Sequence, residues 1–156
     1  MWQPSVLRPC GPDRVISHGD IAPWSVVVRD EQPVALIDWE LSGPVDRLQE
    51  IAHTAWLNIR LFDDEITKDE HLPSAEHRAT QLRLFADGYG LSDQDRRGIV
   101  GTILDVAVLT AASDAVEAGI GPHSSVPSNQ AWGVCWRVRS AAWMVRNRGL
   151  FEHMLK

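Results

Sequence analysis

The residues best able to do chemistry lie in one stretch, VISHGDIAPWSVVVRDEQPVALIDWE, residues 15–40. Asp20 and Asp38 stand 18 residues apart, each near the end of a short β-branched or aliphatic run. A hairpin between them can bring both carboxylates to one edge of a small sheet and into one cleft. Two carboxylates that close repel each other, so a site that keeps both ionised needs a cation or hydrogen-bond donors. Mg²⁺ suits such a site: it takes oxygen ligands, accepts one or two carboxylates and leaves positions for water and phosphate oxygens. The same two residues serve equally as turn formers, since aspartate is common where strands end. A third reading is a metal-dependent phosphoester hydrolase built on His18, Asp20, Asp38 and His53. Against it, His71, His77, His123 and His153 are scattered and form no second tight motif.

The elements that must position these groups can be read from period and punctuation. Residues 1–14, with three prolines and a glycine, form an irregular opening segment. Val15 to Ser17, Val26 to Val28 and Val34 to Ile37 are short strands of one small sheet, the last two joined by a turn at RDEQP. From Asp46, a natural N-cap, the apolar residues Leu48, Ile51, Ala52, Ala55 and Ile59 fall at helical spacing. A second helix runs from about Ser74 to Asp87 and closes at the glycines of DGYG. The third starts at Ser92, which has capping-box spacing to Asp95, and runs to Gly119 as the central helix. After the breakers of GIGPHSSVPSN, a last helix spans roughly Asn129 to Asn147. Its Trp132, Trp136 and Trp143 share one face as packing, with Arg139 beside them in need of a partner. The expected fold class is α+β and mostly helical, a small β-hairpin region followed by about four helices.

At 156 residues, 44% apolar and 23% charged, the chain has globular composition and the size of a single domain, 1–156. Its net charge of -6 speaks against a general nucleic-acid or acidic-membrane binder, which needs a basic surface. The acidic run DDEITKDE, residues 63–70, reads as a solvated face or as an attractor of a cationic substrate. The longest apolar run, Ile99 to Ala112, contains Asp105 and falls short of the roughly 20 residues a membrane span needs. With only Cys10 and Cys135 there is no disulfide framework, and no signal-peptide pattern opens the chain. The expectation is a cytoplasmic protein.

HGDIAPWS, from His18 to Ser25, followed by LIDWE, from Leu36 to Glu40, resembles the catalytic core of the aminoglycoside phosphotransferase and choline kinase family, small-molecule kinases with a protein-kinase-like fold. The downstream GPVDRLQEIAHTAW is similar to that family's following helix start. The resemblance implies ATP-dependent transfer of phosphate to a small-molecule hydroxyl. It implies that Asp20 orients the hydroxyl and accepts its proton, that Asp38 binds the Mg²⁺ bridging the nucleotide phosphates, and that His18 supports the loop. Asp46 and Glu50 match positions that buttress the loop from the next helix; both also work as an N-cap and a first-turn acid. Trp24 and Trp39 are expected to pack around the loop.

Two departures qualify the resemblance. Ser25 stands where the family places asparagine as the second metal ligand, and its shorter side chain implies weaker metal binding, through water. Only 17 residues precede His18, too few for the N-terminal nucleotide-binding lobe, so the chain corresponds to the C-terminal lobe and its nucleotide site is incomplete. The expectations that follow are an impaired or inactive kinase, or a non-catalytic kinase-derived module that forms a homodimer or binds a partner supplying the missing lobe.

Overall fold

The computed structural model describes residues 14–65 and 71–156. The expected irregular opening segment up to residue 13, Cys10, and residues 66–70 of the acidic run therefore lie outside the described residues.

The architecture is a small β region followed by four helices, a mostly helical α+β fold. Strand β1 (Arg14–Ser17) comes first, then β2 (Val26–Arg29) and β3 (Gln32–Leu36), then β4 (Gly43–Asp46). The sheet differs from the sequence expectation. There are two separate antiparallel ladders: β2 with β3, and β1 with β4 in the register Arg14 to Asp46 and Ser17 to Gly43. Pro44 hides β4 in the sequence, because proline argues against a strand. In a two-stranded ladder every strand is an edge, so the missing N–H costs no interior bond. The β2–β3 turn is also tighter than RDEQP implies. Only Asp30 and Glu31 lie outside the strands, and both take left-handed conformations, with φ of 49° and 62°, as a twist-matched two-residue hairpin requires.

Helix α1 (Arg47–Asn58) begins where expected: the Asp46 carboxylate accepts the N–H groups of Leu48 and Gln49 at 2.9 and 3.2 Å. Ser74 caps α2 (Ala75–Tyr89), and Gly90, with φ of 74°, ends it. Ser92 caps α3 (Asp93–Glu117) by accepting the Asp95 N–H. By length and composition α3 could cross a membrane, but here Ile99, Val100, Ile103, Val106, Ala107 and Ala111 are buried as it packs against α1 and α4. Helix α4 (Ser128–Met154) runs seven residues past the expected end at Asn147. Gly149 costs the helix about 1 kcal/mol, and the burial of Phe151 and Leu155 just beyond it outweighs that. Trp143 is buried and Trp136 half-buried against Trp56 and Phe62, whereas Trp132 is half exposed, so only part of the tryptophan face is core.

The acidic run begins in the protein rather than in solvent. Asp63 is buried and pairs with Arg139 at 3.5 Å and Arg146 at 3.2 Å, which gives Arg139 the partner it needs. Burial pushes the Asp63 carboxyl up, but the Glu65 N–H and the two guanidinium groups outweigh it and hold the pKa below the ordinary aspartate value. Asp64 pairs with Arg78 and accepts the Trp143 indole N–H at 2.8 Å. Arg78 is fully buried, lies 4.0 Å over the Trp143 ring and donates to the carbonyls of Arg60 and Phe62. This network ties the segment after α1 to α2 and α4.

Candidate functional site

The loop from His18 to Ser25 leaves β1 and enters β2 through a 3-10 turn at Pro23–Ser25. His18 is buried, with Nε2 2.7 Å from the Ile37 carbonyl and Nδ1 3.3 Å from the Asp20 nitrogen. A carbonyl can only accept and an amide N–H only donate, so the proton sits on Nε2 and Nδ1 is the acceptor. One imidazole thus spans the backbone at Asp20 and the backbone just before Asp38. Trp39 packs against the imidazole with ring centres 4.7 Å apart and planes tilted by 55°.

Glu50 reaches back from the first turn of α1. Its Oε1 accepts the Ser17 hydroxyl at 2.7 Å and the Gly19 N–H at 3.1 Å. Gly19 has φ of 83°, and a Cβ placed there would lie 2.3 Å from the Leu41 carbonyl oxygen, so the loop crosses the Trp39–Leu41 turn where only glycine passes. Asp46 sits farther off, as the cap of α1. Asn58 adds a hold from the other end of α1, donating to the Ile21 carbonyl at 2.8 Å.

Ser25 takes a different position from that of an outward ligand. It is fully buried; its hydroxyl donates to the Asp20 carbonyl at 2.6 Å, lies 3.0 Å from the Ala22 carbonyl and accepts the Ala22 N–H at 2.9 Å. Those bonds close the loop on itself and leave the hydroxyl turned inward. Asp38, by contrast, is exposed, in a left-handed conformation with φ of 63° at the start of the Trp39–Leu41 turn. Its carboxylate fits a Mg²⁺ that takes most of its ligands from water and phosphate; the Ser25 oxygen as placed does not.

Asp20 is half-buried and lines a cleft of about 400 Å³ together with Trp24, His53, Trp56, Asp114 and Arg137. Asp38 is outside that lining, so the two aspartates flank the loop rather than share one cavity. Trp24 does not pack around the loop: it is 58% exposed, and its indole N–H donates to Asp20 Oδ2 at 2.8 Å. The far wall comes from α3 and α4, where Asp114 pairs with Arg137 at 2.7 Å. Nothing local in the sequence marks that pair, because its members come from different helices. His18, Asp20, Asp38 and His53 do not assemble into a metal set, and among the described residues no three His, Cys, Asp or Glu side chains do. The hydrolase reading loses its donors there.

A profile of the phosphotransferase enzyme family matches residues 2–98, starting well ahead of the motif. The chain is 43% identical over 156 residues to the trifolitoxin immunity protein of Rhizobium leguminosarum bv. trifolii. That similarity covers 99% of this chain and 59% of the relative, so the chain spans little more than half of the relative's length. No solved structure matches.

Proposed function

Because the chain belongs to the phosphotransferase enzyme family, we propose that it is a phosphotransfer domain that moves phosphate from ATP to a hydroxyl of a small molecule in the cytoplasm. In this reading Asp20 orients the hydroxyl and takes its proton as the oxygen bonds to the terminal phosphorus, the bond from that phosphorus to the bridging oxygen breaks, and ADP leaves. Asp38 would hold Mg²⁺, which would supply positive charge to neutralise the phosphates. His18, Glu50 and Ser25 hold the loop, and Asp46 starts the helix that carries Glu50. The observation that carries the reading is Asp20 itself, lining a cleft on a loop fixed from four directions.

The cleft also bears on the substrate. Asp20 and Glu117 line it with the exposed indole of Trp24, while Asp114 is already paired with Arg137, whose guanidinium lies over the Trp136 ring. The two remaining carboxylates and the Trp24 ring favour a cationic, amine-bearing compound. The relative is named for immunity to trifolitoxin, which supports a protective role in which phosphorylation disarms a toxic compound.

Phosphoryl transfer is catalysed by positioning and electrostatics, and no glycine-rich loop or strand lysine stands ahead of His18 in these 156 residues. Transfer by this stretch alone is therefore expected to be weak. The test is a radiolabelled ATP assay over a panel of amine-bearing alcohols, with Asp20→Ala alongside. Loss of all transfer in Asp20→Ala supports the assignment, and transfer that survives it refutes the role of Asp20.

A second reading, a non-catalytic binding or dimerisation module, draws on a different observation. Ile16, Val28, Val34, Trp39 and Leu41 are each at least half exposed within the β region, a density of bare apolar side chains that favours a second copy or a missing-lobe partner.

A further inference from the structure

We propose that Trp24 is a positioning residue for Asp20: its indole N–H fixes one carboxylate oxygen and thereby turns the other into the cleft. The fixing stands on geometry alone, while its catalytic consequence rests on the phosphotransfer reading above.

The backbone at both ends of this contact is set without Trp24. The Ser25 hydroxyl donates to the Asp20 carbonyl and accepts the Ala22 N–H, the Ser25 N–H donates to the Ala22 carbonyl at 3.0 Å, and the Ile37 N–H donates to the Ser25 carbonyl at 3.0 Å. Pro23 opens the 3-10 turn with its ring-fixed φ. What the loop leaves undetermined is the Asp20 side chain, whose χ1 has three staggered choices. The indole N–H, 2.8 Å from Oδ2, has the length of a charge-assisted bond and selects among them. Oδ1 accepts no hydrogen bond from any described residue.

Packing does not explain where Trp24 lies. Trp56 and Trp143 are 1% and 4% exposed, whereas Trp24 leaves 58% of its surface in solvent, forgoing burial that would stabilise so large a ring. An indole held out at the mouth of the cleft makes sense if its polar edge serves the carboxylate and its face lines the space a substrate enters.

The experiment replaces Trp24 with phenylalanine, which keeps an aromatic ring and removes the donor at an exposed site that does not threaten the fold. Three-bond couplings read the Asp20 χ1 rotamer, and transfer kinetics are measured in parallel. One rotamer is expected in the wild type and an average in Trp24→Phe. Where transfer is measurable, kcat falls about tenfold, the loss of one hydrogen bond to a charged group, with KM for the alcohol little changed. An Asp20 that stays in one rotamer in Trp24→Phe overturns the proposal, as does an unchanged kcat. Averaging confined to the variant establishes the fixing even where transfer is too weak to measure, and transfer that survives Asp20→Ala discards the phosphotransfer reading while leaving the fixing in place.

Discussion

Ser25 and Gly19 hold the Asp20 loop by opposite means, a polar bond network and an absent side chain. Ser25→Ala strips the buried Ala22 N–H and Asp20 carbonyl of their partner, a loss of about 1–3 kcal/mol, and is expected to lower the melting temperature by several degrees. Gly19→Ala combines an unfavourable left-handed conformation with a Cβ against the Leu41 carbonyl. Its expected cost is larger than that of Ser25→Ala, and urea unfolding of the two variants ranks them. At this scale the motif pointed to His18, Asp20 and Glu50 as one loop with its brace, and their hydrogen bonds bring them together; the chemical role of Asp20 is the proposal made above. The direction of the Ser25 hydroxyl was not legible: a residue type states which bonds a group can make, and the surrounding backbone decides which it does make. Trp24 was misread for the same reason, its N–H bond to Asp20 being invisible beside the ordinary expectation that tryptophan packs.

At the level of elements, the hairpin turn and the α1 cap give measurable consequences. Glu31 holds φ of 62° with a side chain that disfavours it, so Glu31→Gly is expected to stabilise the protein by about 1 kcal/mol, seen as a higher urea midpoint at unchanged slope. Asp46→Ala removes the acceptor of two helix N–H groups and is expected to cost about 0.5–2 kcal/mol. It should also loosen Glu50, one turn on, and through it Gly19. The starts of α1, α2 and α3 could be read from Asp46, Ser74 and Ser92 because capping is local chemistry. The strand at Pro44 and the last two turns of α4 could not. Pairing with β1 creates the one, and burial of Phe151 and Leu155 creates the other, and both depend on residues distant in the chain.

Across the whole molecule, the Asp63 network makes stability depend on pH. The folded-state pKa of Asp63 is lowered, so its contribution is complete above the unfolded value of about 3.9 and is lost as pH falls through the lower folded value. Urea unfolding at pH 6 and pH 3 should therefore show a smaller acid loss in Asp63→Asn than in the wild type. The bare apolar side chains of the β region make a separate expectation: sedimentation should show association that grows with concentration and weakens in Ile16→Lys, and a clean monomer at high concentration speaks against the binding-module reading. The helical bundle was legible as a whole because its periodic faces must meet. The cleft between the loop and the α3–α4 wall was not, since Asp114 and Arg137 become neighbours only once those helices pack.

The bracing of the 18–25 loop has a consequence for descent. His18, Gly19, Ser25 and Glu50 are all tied to backbone, so losing any of them is felt as instability whether or not phosphate is ever moved. Selection for a folded protein alone would keep most of the motif in a lineage that had stopped catalysing. Asp20 is different, because its carboxylate holds only the edge of an exposed indole. In a lineage released from chemistry it is the position free to drift first, so the proposed reaction stands or falls at Asp20 and not at the residues that brace it.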